Sequence, residues 1–327
     1  MSRILHARTD RFELNRPFHI SRGVKTAAEV ITVELHEDGF VGRGEGVPYP
    51  RYGESPGRAL AEIADVRDAV ERGASREELA RFMKAGAARN ALDCALWDLE
   101  ARRSGQSVAE LLGAPPLAPL PTALTIVIGT PAVMAAEASR VADAPLIKVK
   151  VNADNPLAAI RAVRGAAPNA ALIVDPNESW DEALVRAAMP ALATLGVAVL
   201  EQPCPTDGDA WMEGYSGPVP ICADESVHTL ADLEIVARRY QAINIKLDKT
   251  GGLTAALELA AAARARGMGL MSGCMVCSSL GIAPALHVAR LSDWADLDGP
   301  LWLAEDRPGG VSERGGIMHP PAEGFWG

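Results

Sequence analysis

Apolar and polar positions are patterned differently in the two parts of the chain. Up to about Gly113, strand-like and helix-like periods are mixed. Glu29 to His36 (EVITVELH) alternates as a half-buried strand should. Glu37-Asp38-Gly39 then reads as a turn, with Phe40 to Gly46 as the returning strand. The spacing predicts a helix from Ser55 to about Ala69, capped by Ser55 with Pro56 at its first position. A second helix, Ser75 to Met83, opens with the capping box Ser75-x-x-Glu78. Ala87 to Ser104 predicts an amphipathic helix that stops at Gly105. Together these elements make an α+β module.

A Pro-rich stretch, Gly113 to Pro121 (GAPPLAPLP), reads as a hinge. Beyond it, short apolar runs alternate with Ala-rich helical stretches. The runs are Thr122 to Ile128, Leu146 to Val151, Ala170 to Val174, Val197 to Leu200, Val219 to Ala223, Ala242 to Ile245, Gly269 to Met271 and a weaker one near Trp294 to Leu297. Continuous apolar runs separated by helices indicate a parallel sheet. Charged residues end the middle runs at Lys148, Asp175, Glu201, Asp224 and Lys246, at steps of 27, 26, 23 and 22 residues, about one βα unit each. Eight units predict an α/β fold of the (β/α)8-barrel type. The expected organisation is an α+β capping domain over residues 1–115 and a barrel over 116–304, with the tail 305–327 returning to the cap. No G-x-G-x-x-G follows the first run, so a dinucleotide-binding fold has no support.

Composition narrows the classes. The 327 residues are 48% hydrophobic and 23% charged, ordinary for a globular protein with a large core. A net charge of −10 disfavours nucleic acid and anionic membranes as partners. The N-terminus, MSRILHARTD, has no apolar stretch of a signal peptide, and no run is long and apolar enough for a membrane span. Five scattered cysteines predict free thiols in a reducing compartment, hence a cytoplasmic protein. Cys274 and Cys277 form one C-x-x-C without the second pair a zinc site needs, and read as packing. Self-association into a homo-oligomer is left open.

In a barrel of this kind the C-terminal strand ends form the active-site face. Charges at nearly every strand end would be costly to bury without partners or a metal. Asp175 in IVDPNESW, Glu201 in VLEQP and Asp224 in ICADES stand at successive ends. Three converging carboxylates suit a hard divalent cation such as Mg²⁺, and the lack of His or Cys at equivalent positions argues against zinc. Lys148 and Lys150, two apart in IKVKVN, share one side of a strand, while Lys246 lies on the far side of the acids. Neighbouring cations, a divalent metal included, are expected to lower the lysine pKa values and make a general base. Removing a proton beside a carboxylate creates an enediolate, which needs the electrostatic stabilisation that a metal on that carboxylate supplies. Lysines on opposite faces of the α-carbon fit racemisation or epimerisation.

The motifs K-V-K (Lys148 to Lys150), D-P-N (Asp175 to Asn177), E-Q-P (Glu201 to Pro203), A-D-E-S (Ala223 to Ser226) and N-I-K-L (Asn244 to Leu247) resemble the muconate-lactonizing subgroup of the enolase superfamily, over almost the whole chain. That resemblance implies Mg²⁺ held by Asp175, Glu201 and Asp224, with Lys150 and Lys246 as paired acid/base residues. It implies Lys148 on a substrate carboxylate oxygen, Asn177 and Glu225 as supports, and Thr125 among the substrate-binding residues. Asp296-x-Asp298 on the last strand resembles the dipeptide epimerases, where such a pair holds the α-ammonium of a dipeptide substrate. Two same-side carboxylates do suit a cation. Phe18 to Glu29 resembles a flexible capping loop. Its Arg22 and Lys25 could reach an acidic side chain, which points to alanyl-glutamate and cell-wall peptide turnover. Gly273 to Ser279 resembles a segment whose backbone lies against substrate. Asp248 departs from the pattern, and its side is read as that of Lys246, either tuning specificity or pairing with Lys249. Rivals on the same scaffold are a cycloisomerase, an N-acylamino-acid racemase and o-succinylbenzoate synthase, whose substrates lack a free α-ammonium. An acid-sugar dehydratase would want a His–Asp pair that His228 and His287 are not placed to form. A ligand-binding barrel without activity is the rival from another class.

Overall fold

The computed structural model of the protein describes residues 3–20 and 23–327. Its first sheet is antiparallel, in the order β1 (Ile4–Ile20), β2 (Gly23–Glu37), β3 (Phe40–Gly46). Asp38 and Gly39 make the β2–β3 turn with φ of 53° and 85°, the left-handed pair that a two-residue hairpin needs. β1 has no counterpart in the sequence reading. Only Leu5 of its residues is buried, so it carries no apolar alternation, and main-chain pairing to β2 holds it from Ile4↔His36 to Ile20↔Gly23. The described residues of the expected capping loop therefore lie on the two arms of a long hairpin.

Three helices follow: α1 (Pro56–Glu71), α2 (Arg76–Phe82) and α3 (Ala87–Ser104). Ser55 caps α1 by accepting from Arg58 N, and both halves of the Ser75/Glu78 box are formed. α3 ends at Gly105 as predicted, but it is not amphipathic: every residue from Ala87 to Leu99 is buried. It is a wedge between two layers. On one side Gly42, Gly44 and Gly46 of β3 lie against it so closely that a Cβ there would collide with the backbone of Ala95, Ala91 or Ala87. On the other side Arg89 Nε donates to Gly251 O at 3.0 Å and Trp97 Nε1 to Thr254 Oγ1 at 3.0 Å.

The Pro-rich segment ends in β4 (Leu120–Pro121) and does not swing free. Eight parallel strands come next in sequential order: β5 (Leu124–Ile126), β6 (Leu146–Lys150), β7 (Ala171–Asp175), β8 (Val197–Glu201), β9 (Ile221–Ala223), β10 (Ala242–Ile245), β11 (Gly269–Gly273) and β12 (Trp294–Asp296). The ends of this sheet meet where Ala123 N donates to Ala295 O at 2.8 Å, which nearly closes a barrel. An α-helix covers every crossover except β8–β9, where the Pro- and Gly-rich stretch 202–220 forms only a 3-10 turn, Ala210–Met212. Two short strands, β13 (Ser312–Arg314) and β14 (Ile317–His319), complete a sheet with β4. The last residues reach the first module: Trp326 Nε1 donates to Arg43 O at 2.9 Å and Gly327 N to Asp98 Oδ1 at 2.8 Å. Among the described residues, no helix is long and apolar enough to cross a membrane.

Strand alternation builds the barrel interior in layers. Leu146, Ile173, Val199, Cys222, Ala242 and Met271 form one apolar cluster. Two positions further along each strand stand Lys148, Asp175, Glu201, Asp224, Asn244 and Gly273. Gly273 has to be small, because a Cβ would sit 2.6 Å from Asn244 Oδ1. The polar layer is thus the same inward face, displaced toward the C-terminal strand ends.

Candidate active site

The charged side chains of that layer meet. Lys148 Nζ lies 2.7 Å from Glu201 Oε2, 2.7 Å from Asp296 Oδ2 and 3.0 Å from Asp175 Oδ2. Lys150 Nζ donates to Asp175 Oδ2 at 2.6 Å and to Asn177 Oδ1 at 3.1 Å. Across the barrel, Lys246 Nζ donates to Asp224 Oδ2 at 2.6 Å. Lys150 and Lys246 therefore flank the acid group from opposite sides, with Glu201 between. All three acids are buried, at no more than 1% exposure.

Above them opens a narrow cleft. Thr125, Lys148, Lys150, Asn177, Glu225, Lys246, Asp296 and Asp298 all line it. The first module contributes Phe18, Ile20 and Lys25 from the β1–β2 hairpin and Tyr49 and Tyr52 from the segment after β3. Lys25 Nζ stands 4.5 Å over the Tyr49 ring, a cation–π contact at the cleft wall. Arg22 lies outside the described residues. Asp298 Oδ2 accepts from Thr125 N at 2.9 Å and from Trp302 Nε1 at 3.3 Å.

The carboxylates govern the charge state of two of the lysines. Burial pulls Lys148 down, but Asp175, Asp296 and Glu201 together hold it well above the ordinary lysine value. Burial and Lys148 both pull Lys246 down, yet Asp224 keeps it well above as well. Repulsion of Lys246 by Lys148 is outweighed by the carboxylates, which lie within 3.0 Å. Burial pushes Asp224 up, and Lys246 and Lys249 more than offset it, holding the carboxyl well below its usual range. Glu201 goes the other way, pushed up to about 7 by burial and by Asp175.

Asp248 fits neither role considered for it. The strand ends at Ile245, and Leu247–Thr250 is a helical turn, so residues two apart no longer share a side. Asp248 Oδ1 accepts from Val47 N and from Asn90 Nδ2, both at 2.8 Å, at the seam with α3. Lys249 instead turns inward and donates to Asp224 Oδ1 at 2.6 Å and to Asn244 O at 2.9 Å. This fourth lysine was not singled out. Its signal was the i, i+3 spacing from Lys246 before Gly251-Gly252, visible once those residues are taken as helical. Tyr49 and Tyr52 were also missed, since aromatic residues in a Pro/Gly-rich loop carry no periodicity. His228 packs edge-on against Tyr52, and His287 lies against Trp326. All five cysteines are free thiols; Cys277 is buried in the core and Cys274 edges the cleft.

The donor set can be tested against a cation. Among the described residues, no three Asp, Glu, His or Cys side chains form a ready cage, because the acids lean on lysine ammonium groups. Their chemistry nonetheless fits a hard ion: the donors are oxygen only, from three adjacent strands. Glu201 Oε2 and Asn244 Oδ1 are buried without a hydrogen bond, the former facing Lys148 at an angle that makes none. Unused oxygen capacity beside concentrated negative charge is what a cation site requires.

Comparison with known proteins agrees with this geometry. Residues 4–113 match the mandelate racemase / muconate lactonizing enzyme N-terminal domain, and residues 133–324 match the enolase C-terminal domain-like family. The L-Ala-D/L-Glu epimerase of Escherichia coli K12 is 52% identical over 94% of this chain and 96% of its own length. The N-acetyl-D-glutamate racemase of a Pseudoalteromonas species is 41% identical over 91% of this chain and 95% of its own. An Agrobacterium tumefaciens enolase family member with homology to dipeptide epimerases, solved with sodium and L-Ala-L-Glu, superposes with a TM-score of 0.97 at 48% identity, covering 99% of this chain and 100% of that one. The chain belongs to the mandelate racemase/muconate lactonizing enzyme family of the enolase superfamily.

Proposed function

We propose that the protein is a Mg²⁺-dependent dipeptide epimerase that inverts the α-carbon of the C-terminal residue, with L-Ala-D/L-Glu as its substrate. The carrying observation is the pair of lysines, Lys150 and Lys246, on opposite sides of a buried acid trio at the floor of one cleft. Mg²⁺, held by Asp175, Glu201 and Asp224, would supply positive charge that stabilises the enediolate and relaxes the hold of the acids on the lysines. Lys148 neutralises the substrate α-carboxylate from the cleft floor. One of Lys150 and Lys246 removes the α-proton, and the other returns a proton to the opposite face. Asn177 steadies Lys150 through its 3.1 Å bond. Asp296 and Asp298 take the α-ammonium at the far end of the cleft. Lys25, at the hairpin tip over Tyr49, meets the side-chain carboxylate of glutamate. Such a substrate places the enzyme in cell-wall peptide turnover in the cytoplasm.

The test is incubation of a dipeptide library and N-acylamino acids in D₂O with Mg²⁺, read by mass spectrometry. Incorporation of one deuterium into L-Ala-L-Glu that a chelator abolishes is the expected result. Exchange confined to N-acylamino acids would refute the dipeptide reading.

A further inference from the structure

Asp298 is held by more of the molecule than its place in the cleft requires. Its Oδ2 takes hydrogen bonds from Thr125 N and from the indole of Trp302. Trp302 is itself only 3% exposed. The Phe18 ring meets it edge-on at 4.6 Å, and the Arg16 guanidinium lies 4.5 Å over it. Both residues belong to the β1 arm that carries Phe18 and Ile20 into the cleft. Arg16 also reaches Glu137 Oε2 at 2.6 Å. The β1–β2 register shifts between Glu13 and Phe18. Over that gap β1 turns to the segment around Trp302: Leu14 bridges Leu303, Asn15 Nδ2 donates to Leu301 O at 2.8 Å, and Ala304 N donates to Glu13 O at 2.8 Å.

We propose that Trp302 is a positioning residue that couples the β1–β2 hairpin to Asp298 and so sets the preference of the site for a dipeptide's free α-ammonium over an N-acyl group that lacks one. The inference rests on the reading of Asp298 as an ammonium ligand. An ammonium gains from a carboxylate only when the oxygens are aimed and the charge is kept. The indole N–H does both: it fixes the carboxylate plane together with Thr125 N, and it donates to the ionised form. Burial and Asp296 push Asp298 up to about 6, and these two donors oppose that rise. A simple N-acyl group carries no ammonium and draws nothing from the arrangement.

The experiment compares the wild type with Trp302→Phe, Phe18→Ala and Asp298→Asn on two ligands, in saturating Mg²⁺. One ligand is L-Ala-L-Glu. The other is N-acetyl-L-glutamate, which keeps both carboxylates but lacks the ammonium, read as a competitive inhibitor. Trp302→Phe keeps an aromatic ring in the wall and removes the donor. It is expected to raise the dipeptide KM roughly tenfold, the loss of one hydrogen bond to a charged group, with kcat nearly unchanged and the N-acetyl-L-glutamate Ki unmoved. Phe18→Ala leaves the donor but removes its support, and is expected to move the same ratio by about threefold in the same direction. An equal loss for both ligands, or a fall in kcat at constant KM, overturns the proposal by reducing Trp302 to a wall of the pocket. If Asp298→Asn is impaired for the dipeptide while Trp302→Phe and Phe18→Ala are not, the coupling alone fails. If Asp298→Asn leaves the dipeptide KM unchanged, the ammonium assignment fails and takes the coupling with it.

Discussion

Buried charge is concentrated in two places, and they are built in opposite ways. At the seam between the first module and the barrel, each carboxylate is saturated. Glu45 accepts from Ser278 N at 2.8 Å and from Arg307 Nε and Nη2 at 3.2 and 3.0 Å. Asp98 accepts from Arg43 N, Arg102 Nε and Gly327 N, each within 2.9 Å. Asp93 accepts from Thr254 N at 3.0 Å and Oγ1 at 2.6 Å. The donors come from distant parts of the chain, so these groups act as clamps. At the barrel mouth, charges face one another across an open cleft, and Glu201 Oε2 and Asp296 Oδ1 are buried without a hydrogen bond. Burial of charge is thus no sign of function by itself. Leftover bonding capacity beside a cavity is.

The contrast predicts which changes stop chemistry and which loosen the fold. The largest effect belongs to the mouth. Lys150→Ala and Lys246→Ala should each lower epimerisation by about a thousandfold, within the span of general acid–base catalysis, while circular dichroism stays native. Each variant should still exchange the α-proton of one epimer in D₂O, and opposite epimers for the two. Exchange of the same epimer by both would remove the two-faced arrangement. Next, Asp224→Asn should weaken Mg²⁺ binding in calorimetry and lower kcat at least a hundredfold, since it removes charge from the proposed ligand set. Equal Mg²⁺ affinity in variant and wild type would exclude Asp224 from that set.

The seam should respond in stability instead. Arg307→Met strips Glu45 of its buried counter-charge and should cost about 3 kcal/mol in urea unfolding, with kcat within a few-fold of wild type. A collapse of kcat without loss of stability would erase the distinction. The smallest effect is one of pH. Burial pushes Asp248 up to about 7 from its ordinary value of 3.8, against the pull of Val47 N and Asn90. Between those values the folded protein keeps a proton that the unfolded chain has released. Stability from this group is therefore greatest at the acid end of the window and declines as pH rises toward 7. Asp248→Asn should flatten that decline in a series of thermal melts; an identical slope would assign it to other groups.

The comparison also shows where local reasoning from sequence reaches its limit. Asp175, Glu201, Asp224, Lys148 and Lys150 were readable because each lies on or just after a strand, where alternate residues must share a face. Beyond Ile245 the chain leaves the strand, and the same rule misplaced Asp248 and overlooked Lys249. α3 was mistaken for a half-exposed helix because its Arg, Asn and Asp residues count as polar. Their solvent is the rest of the protein: Arg89 spends its donors on Thr250, Gly251 and Met83 carbonyls. β1 was invisible for the converse reason, being a strand held mainly by its backbone partners.

What the sequence determined alone is the repeating unit and the chemistry it lifts to one end. A period of two within each strand and one βα unit between strands suffice to align three acids and two lysines, because both periods are set by covalent and hydrogen-bond geometry. What only the tertiary structure decided is how those charges balance and what encloses them. Lys148 and Lys246 are held up by carboxylates from other strands. The cleft walls come from a hairpin and a loop of the first module, remote in sequence from the strand ends. Electrostatic balance and enclosure are sums over neighbours in space, and no local pattern along the chain contains them.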